Sequence, residues 1–574
     1  MSAIGEYAFY RCNSPENNVA ESLQQIGNGA FKGCASLKEA VLTEGVSQIG
    51  EETFMDCSEL ISVTLPKTIQ TIGNDAFANC SRLVEVYNLS GLQIKVGSSE
   101  NGSIGLYAID VYTSLAEKSK LSNVDGMLYR KGDKNYVVRY YGTESSVVVA
   151  EGTHVINRNA FEGRAIESVT LPKSLEEIGD YAFNNTALSA VVIPQRVTKI
   201  GAYAFANNRS LTSADISNCQ IAELCDHVFY NAAITSIAIP STVTTIGYGA
   251  FAGCESITSI TLPFVGDGTT GEEAKTHFGY VFGAETANDH HRTDGTRAVP
   301  ASLKNITILG GTIAAYAFLK YDRVENITFG KDVSQIAPEA FWLSGDINDD
   351  KYAIIGVYWD RYEQVLQSFS VSADSTYFKS VEGVLYSKDG KQLIAYPSGN
   401  SAETFSVPND VEEIAAYAFY AQKCLKTLNI GDGVQKFGFK AFAGCGAMST
   451  FNFGTKGALK EIGQSAFGKC YSLSGEIVIP EGVTTVGRYA FSGPYVDRIV
   501  LPSTLEFIGA YGFSNAAGRV KFNTTCDWDL RNGGYGYGNT EVTADSLENE
   551  EQAAQLLCEE TLRFRDWFKR TTTA

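Results

Sequence analysis

Apolar residues along this chain fall in short clusters separated by polar positions, and the same set of clusters returns every 22 to 25 residues. The stretch "LISVTLPKTIQTIGNDAFANC", residues 60–80, shows the unit: Leu60, Val63, Leu65, Ile69, Ile72 and Phe77 are apolar and most of the rest is polar. Two-residue alternation predicts a short strand with Leu60, Val63 and Leu65 inward and Ser62 and Thr64 on the opposite face. Pro66 ends that strand, because it cannot donate a ladder hydrogen bond. Gly73 is expected where the chain bends tightly, and Ala76 leaves room for Phe77 to enter the core.

The phenylalanine of this unit recurs at sixteen positions from Phe9 to Phe513. A period of this length marks a solenoid, in which each turn stacks on the last because none can bury its apolar face alone. The array also accounts for a chain of 574 residues, well beyond the size at which a single globular core stops growing. At 44% hydrophobic and 19% charged residues the chain can bury a core. A formal charge of -19 argues against nucleic acid or an anionic membrane as the main partner. No run approaches the roughly 18 apolar residues that span a bilayer. "MSAIGEYAFYRC" lacks the basic start and apolar run of a secretion signal and already reads as repeat, as expected of a piece of a longer protein with any targeting segment outside it.

Seven of the twelve cysteines stand three residues after the recurring Phe, among them Cys34, Cys57, Cys80, Cys445 and Cys470. Thr186, Asn208, Ala232 and Ser344 fill that place elsewhere, which indicates a requirement for a small residue. Parallel rungs point such side chains the same way, so reduced, buried thiols are expected rather than disulfides. No CxxC pair is present to suggest a thiolate metal site.

The pattern "LxxVxLPxxVxxIGxxAFxxC" resembles the BspA-like, or treponemal-type, leucine-rich repeats of bacterial surface proteins and some parasitic protists. The resemblance covers most of residues 1–525. "YFKSVEGVLYSKDGKQLIAYPSG" at 377–399, "NVDGMLYRKGDKNYVVRYYG" at 123–142, and "LPFVGDGTTG" to "FGYVFGA" at 262–284 are also similar to segments of that family. The resemblance implies a right-handed leucine-rich-repeat solenoid of short parallel β-strands and tight turns. It also implies a non-catalytic protein at the cell surface or secreted, in some members an adhesin for host matrix proteins, and it brings no catalytic residues.

Three gaps between recurring Phe residues exceed one period. They define enlarged turns near residues 90–152, 264–302 and 343–402. The first and third read as a strand, a turn and another strand, hence a hairpin kept within the solenoid. The middle one, rich in Gly, Asp, Thr and His, is expected to form an exposed loop. Residues 526–574 form a C-terminal cap, with a helix over 545–570 that Asp545 and Glu548 would start. Its apolar residues, Trp567 and Phe568 among them, either cover the last rung or dock a partner.

Chemistry is sparse. "GDGTTG" at 266–271 has dinucleotide-fingerprint spacing, but its strand belongs to a repeat and Glu272 and Glu273 would repel a phosphate. His290 and His291 beside Asp289 and Asp294 are more closely spaced than zinc ligands usually are. Asp346, Asn348 and Asp350 match the start of a calcium loop that then fails, with Lys351 in place of the glycine and Val357 in place of the bidentate Glu. No GxSxG or HExxH is present, and no cofactor or metal is implied.

Two surfaces remain for a protein or glycan partner at the cell surface, such as a host extracellular matrix protein. The outer strand face is a row of small polar residues such as Ser168, Thr170, Thr427 and Asn429, which either supports the sheet through cross-strand pairs or binds weakly. Two positions before the recurring Phe stand Tyr7, Tyr181, Tyr203, Tyr316, Tyr417, Tyr489 and Tyr511. These form a broken contact stripe if they face outward, or shield the corner if each ring lies on its neighbours. The alternative to a dedicated ligand is a structural surface component. If the recurring Phe residues form the inner stack, Phe183→Ala costs about 3 to 5 kcal/mol, read as a loss of unfolding free energy in denaturant titration.

Overall fold

The computed structural model describes residues 3–12, 24–268, 275–286, 298–319, 323–341, 365–523, 526–531, 540–559 and 565–570. The His and Asp cluster at 288–294 and the calcium-like segment at 345–350 lie outside the described residues. The chain divides into two compact units, Met1–Ala232 and Ala233–Ala574.

Each turn of the solenoid carries two short strands. In the first unit Glu39–Val41, Ser62–Leu65, Glu85–Asn88 and Asp110–Tyr112 form one parallel ladder. Val63 and Leu65 are fully buried while Ser62 and Thr64 are partly exposed, as the alternation requires. A second ladder runs through the residues before the corner glycine: Ala3–Ile4, Gln25–Ile26, Gln48–Ile49 and Thr71–Ile72, with Ile26, Ile49 and Ile72 in register. The second unit repeats the scheme, for example in Thr404–Ser406, Thr427–Asn429 and Thr450–Asn452, and in Glu413–Ile414, Lys436–Phe437 and Glu461–Ile462.

The second ladder changes the reason for the corner glycine. Gly73 does not adopt a left-handed backbone; a Cβ on it would stand 2.6 Å from the Glu51 backbone nitrogen of the preceding rung. Gly50, Gly179, Gly438 and Gly487 meet the same obstacle, so the glycine lets rungs approach rather than letting one rung bend. The left-handed positions lie on either side of the recurring Phe, for example Asp75 (φ 53°) and Asn79 (φ 60°) around Phe77. That alternation aims every second N–H at the next rung: Phe31 donates to Thr53 (2.9 Å), Phe54 to Ala76 (2.7 Å) and Phe183 to Ala204 (2.8 Å).

The recurring Phe rings stack, buried from Phe31 onward in the first run. Phe9, Phe31, Phe54 and Phe77 follow one another at centroid distances of 5.2 to 5.3 Å, and Phe161, Phe183 and Phe205 at 4.8 and 5.3 Å. The cysteine position is more than small. Cys57 Sγ donates to the Phe31 carbonyl (3.2 Å), Cys80 to Phe54 (3.0 Å) and Cys445 to Phe419 (3.0 Å), and Asn208 Nδ2 replaces the thiol by donating to Phe183 (2.8 Å). The thiol is a second donor to carbonyls that already accept the backbone N–H three residues on, as Phe31 does from Cys34 (3.1 Å) and Phe54 from Cys57 (3.1 Å). None of the twelve cysteines, all among the described residues, is disulfide-bonded, and burial pushes the Cys57 and Cys80 thiols up, away from the reactive thiolate.

The first and third interruptions each contain antiparallel strands, Leu121–Val124 with Met127–Arg130 and Phe378–Val381 with Val384–Ser387. The strand that follows each of them, Tyr136–Tyr140 or Gln392–Ala395, re-enters the second ladder against Val155–Ile156 or Glu413–Ile414. The described part of the middle interruption is not an exposed loop. Its segment Phe278–Phe282 is a 3-10 turn with Phe278, Val281 and Phe282 buried, and it accepts the Phe251 N–H at Val281 as a rung corner would. Two aromatics four residues apart in "HFGYVFGA" replace the usual Ala-Phe pair, so this is a degenerate rung.

The cap also differs from the expected helix over 545–570. Among the described residues of this segment only Glu550–Ala554 is α-helical, capped by Asn549 rather than Asp545, and a π turn continues to Glu559. Asp566–Lys569 is a strand, antiparallel to Phe507–Ile508 of the last rung and to Trp528–Arg531. An open ladder edge offers hydrogen bonds that a solvated helix end cannot match, and pairing there buries Trp567.

Gly73→Ala is expected to destabilise the first unit by about 1 to 3 kcal/mol through backbone overlap. Gly91→Ala, where nothing lies within 4 Å, leaves the unfolding midpoint unchanged. Equal midpoints for the two variants would refute the close-approach argument.

Candidate functional site

The residue two before the recurring Phe is left-handed wherever a tyrosine stands there: φ is 55° at Tyr181 and Tyr203, 60° at Tyr316, 59° at Tyr417, 55° at Tyr489 and 58° at Tyr511. A non-glycine residue in this region costs about 1 to 2 kcal/mol, and ring stacking between rungs returns about 0.5 to 1.5. Tyr181 and Tyr203 stack at 4.9 Å and 2°, and Tyr203 and His227 at 4.8 Å and 1°. Tyr489 and Tyr511 stack at 4.6 Å. Each of these rings is half-buried: one face packs on the next rung while the rim meets solvent. Tyr316 is half-buried as well, and Tyr7 is exposed. Tyr417 is not part of an outward row; it is 8% exposed, edge-on to Phe439 and Tyr420.

Around the Tyr181–Tyr203–His227 stack the structure adds groups that the tyrosine pattern alone did not reveal. Tyr230 packs edge-on against His227 at 5.6 Å. Beside the rings runs a chain of amides: Asn231 Nδ2 donates to Asn207 Oδ1 (3.1 Å), Asn207 to Asn184 (3.0 Å), and Asn184 to Glu162 Oε1 (3.1 Å). His227 stands where the two rungs before it carry Tyr181 and Tyr203, and the asparagines belong to no pattern singled out in the sequence. Burial lowers the His227 pKa, with Asp226 opposing, and raises those of Tyr181 and Tyr203. At neutral pH the stacked rings are therefore uncharged, with Asp226, the Arg158–Asp180 ion pair and Glu162 around them.

The strand face is occupied with itself. Asn452 Nδ2 donates to Asn429 Oδ1 (2.7 Å), Asn429 to Ser406 (3.0 Å), and Asn326 to Asn305 (2.9 Å). Two exposed aromatics outside the tyrosine row also emerge in the second unit, Tyr471 at 68% and Tyr495 at 65%, each four residues after a recurring Phe. Among the described residues no three His, Cys, Asp or Glu side chains converge to hold a metal ion. Of the glycine-rich motif, Gly266 and Gly268 are left-handed turn residues and Asp267 accepts the Ile246 N–H, so the described part closes a rung.

The BspA-type leucine-rich-repeat model matches in six copies over residues 2–114, 140–266, 300–351 and 395–518. The chain belongs to that family. Proteins of the BspA-type repeat family are surface proteins, and leucine-rich-repeat proteins are generally non-catalytic binding scaffolds that take protein ligands. No curated protein matches the chain significantly. Among solved structures it is similar to a leucine-rich cell surface protein from Faecalibacterium prausnitzii A2-165, at 23% identity over 71% of this chain and 96% of that one, TM-score 0.33. It is also similar to the pneumococcal vaccine antigen PcpA, at 18% identity over 70% and 87%, TM-score 0.32. A leucine-rich-repeat protein from Bacteroides ovatus ATCC 8483 matches at 17% identity over 90% and 84%, TM-score 0.21. All three TM-scores are low, and membership of the BspA-type family rests on the repeat match. Among the described residues no helix is long and apolar enough to cross a membrane.

The stack gives the first unit a pH dependence. Because the folded-state pKa of His227 is depressed from 6.5, its contribution to stability is complete above that pH and is lost as the pH falls and the unfolded chain takes up a proton first. His227→Asn, which tolerates the left-handed backbone, is expected to flatten the fall in unfolding midpoint on the acid side of pH 6.5. Parallel curves for the two proteins would contradict this.

Proposed function

We propose that this BspA-type solenoid is a non-catalytic surface protein, exposed on the cell or secreted, that holds a protein or glycan ligand such as a host matrix component. The observation that carries the reading is the edge of the first unit. Tyr181, Tyr203, His227 and Tyr230 there present ring rims beside an amide chain, on rungs locked together by backbone hydrogen bonds. Rigid tyrosines contribute contact area at little entropic cost, amides supply directional hydrogen bonds, and both suit a protein or sugar surface. A long array also engages many weak contacts at once, and many copies on one cell convert them to avidity. The amide rows on the strand face favour a second reading, a structural surface component, because their hydrogen-bonding groups are spent within the sheet.

The test is binding of the purified monomeric chain to immobilised matrix proteins and glycans at physiological salt, with chelator in parallel. Saturable, chelator-insensitive binding to one member is expected. Tyr203→Asn, which keeps the left-handed backbone, is expected to weaken it by about tenfold or more. Silence across the panel with concentration-dependent self-association would favour the structural reading.

A further inference from the structure

The first unit contains a cationic cluster that its own side chains do not neutralise. It sits where the first interruption closes, with Arg82 from the rungs before it, Arg139 from the strand Tyr136–Tyr140 that re-enters the ladder, and Arg164 from the rungs after. Arg82 and Arg139 are 5% and 4% exposed. Two carboxylates answer them. Glu59 pairs with Arg82 and lies 3.3 Å from Arg139, and Glu162 lies 3.4 Å from Arg82. Arg139 otherwise donates to the backbone carbonyl of Asn159 at 2.6 Å.

A fourth cation joins at Tyr141. Lys38 Nζ lies 4.7 Å from the centre of that ring and the Arg164 guanidinium 5.8 Å from it. The cluster thus holds four cations against two carboxylates, within a chain whose net charge is -19. The Nε–H groups of Arg82, Arg139 and Arg164 and the Tyr141 hydroxyl are buried without a hydrogen-bond partner. Two unpaired acceptors, Glu59 Oε2 and Asn159 Oδ1, leave the charge imbalance in place. Burial and the neighbouring Arg82 and Arg164 lower the Arg139 pKa to about 10 against the pull of Glu59, a direction consistent with uncompensated positive charge.

Water would satisfy the donors but not the charge, and an uncompensated charge out of bulk solvent is costly. An oxyanion supplies both negative charge and several acceptors at once. We infer that Arg82, Arg139, Arg164 and Tyr141 form a binding site for one oxyanion group, a sulfate, phosphate or carboxylate. Lys38 is exposed and Arg164 half-buried, so they are the members nearest solvent, while Arg82 and Arg139 are buried. The ion arrives either free or as a substituent of an acidic glycan.

The site is tested on the full chain by calorimetric titration with sodium sulfate at constant ionic strength. One saturable sulfate per chain is expected, weakened by about tenfold or more in Arg164→Gln. Circular dichroism checks that this variant, altered at a half-buried position, keeps the wild-type fold; Lys38→Gln serves as a second variant at the exposed rim. The general salting effect of sulfate does not saturate and is the same in both proteins. A sulfated polysaccharide bound in competition with inorganic sulfate, and lost in Arg164→Gln, would assign the group to a glycan; saturable binding of inorganic sulfate alone would assign a free ion. No saturable binding of sulfate or phosphate to the wild type, or equal binding to Arg164→Gln, overturns the inference.

Discussion

The close approach of successive rungs is the constraint on which the rest depends. A Cβ at Gly73 would reach to 2.6 Å of a backbone nitrogen in the rung before it, and glycine is what permits that distance. Once the rungs lie that close, the corner becomes a third line of backbone hydrogen bonds beside the two strand ladders. Phe, Cys and Tyr then follow as consequences. The Phe rings stack because their Cα atoms are one rung apart. The thiols reach the carbonyl of the previous Phe. The residue two before the Phe turns left-handed so that its N–H can face the next rung.

The same geometry makes surface from structure. A tyrosine in the left-handed position is conformationally expensive, yet its ring lies against its neighbour on the adjoining rung, as Tyr181 does on Tyr203 and Tyr203 on His227. The stack repays the backbone and leaves ring edges at the solvent. The solvent-facing rims and the shield over the corner are therefore two sides of one set of rings. The amide chain from Asn231 to Glu162 runs along the same rungs for the same reason: identical positions come into hydrogen-bond reach when rungs are in register.

Interruptions are where the repeat logic is relaxed and where unusual chemistry collects. In the first unit the return from the hairpin brings Arg139 and Arg164 against Arg82, residues far apart in sequence, and the buried cations share too few carboxylates. In the second, Phe278 and Phe282 rebuild a corner without the usual motif.

The sequence by itself determined the repeat, its period, the inward residues, the family and the parallel-strand solenoid, because each is written within one turn and repeated many times. Local patterns of that kind are legible wherever a residue's surroundings are copies of its own segment. The tertiary structure alone decided why Gly73 is glycine, that the Cys57 thiol reaches the Phe31 carbonyl of the rung before, that Tyr417 is buried while Tyr181 and Tyr203 keep a solvent rim, and that residues 566–569 pair as a strand. It also decided the meeting of Arg82 with Arg139. Each of these depends on what the neighbouring rung or a returning segment places within a few ångströms, and a pattern read along one chain does not contain that distance.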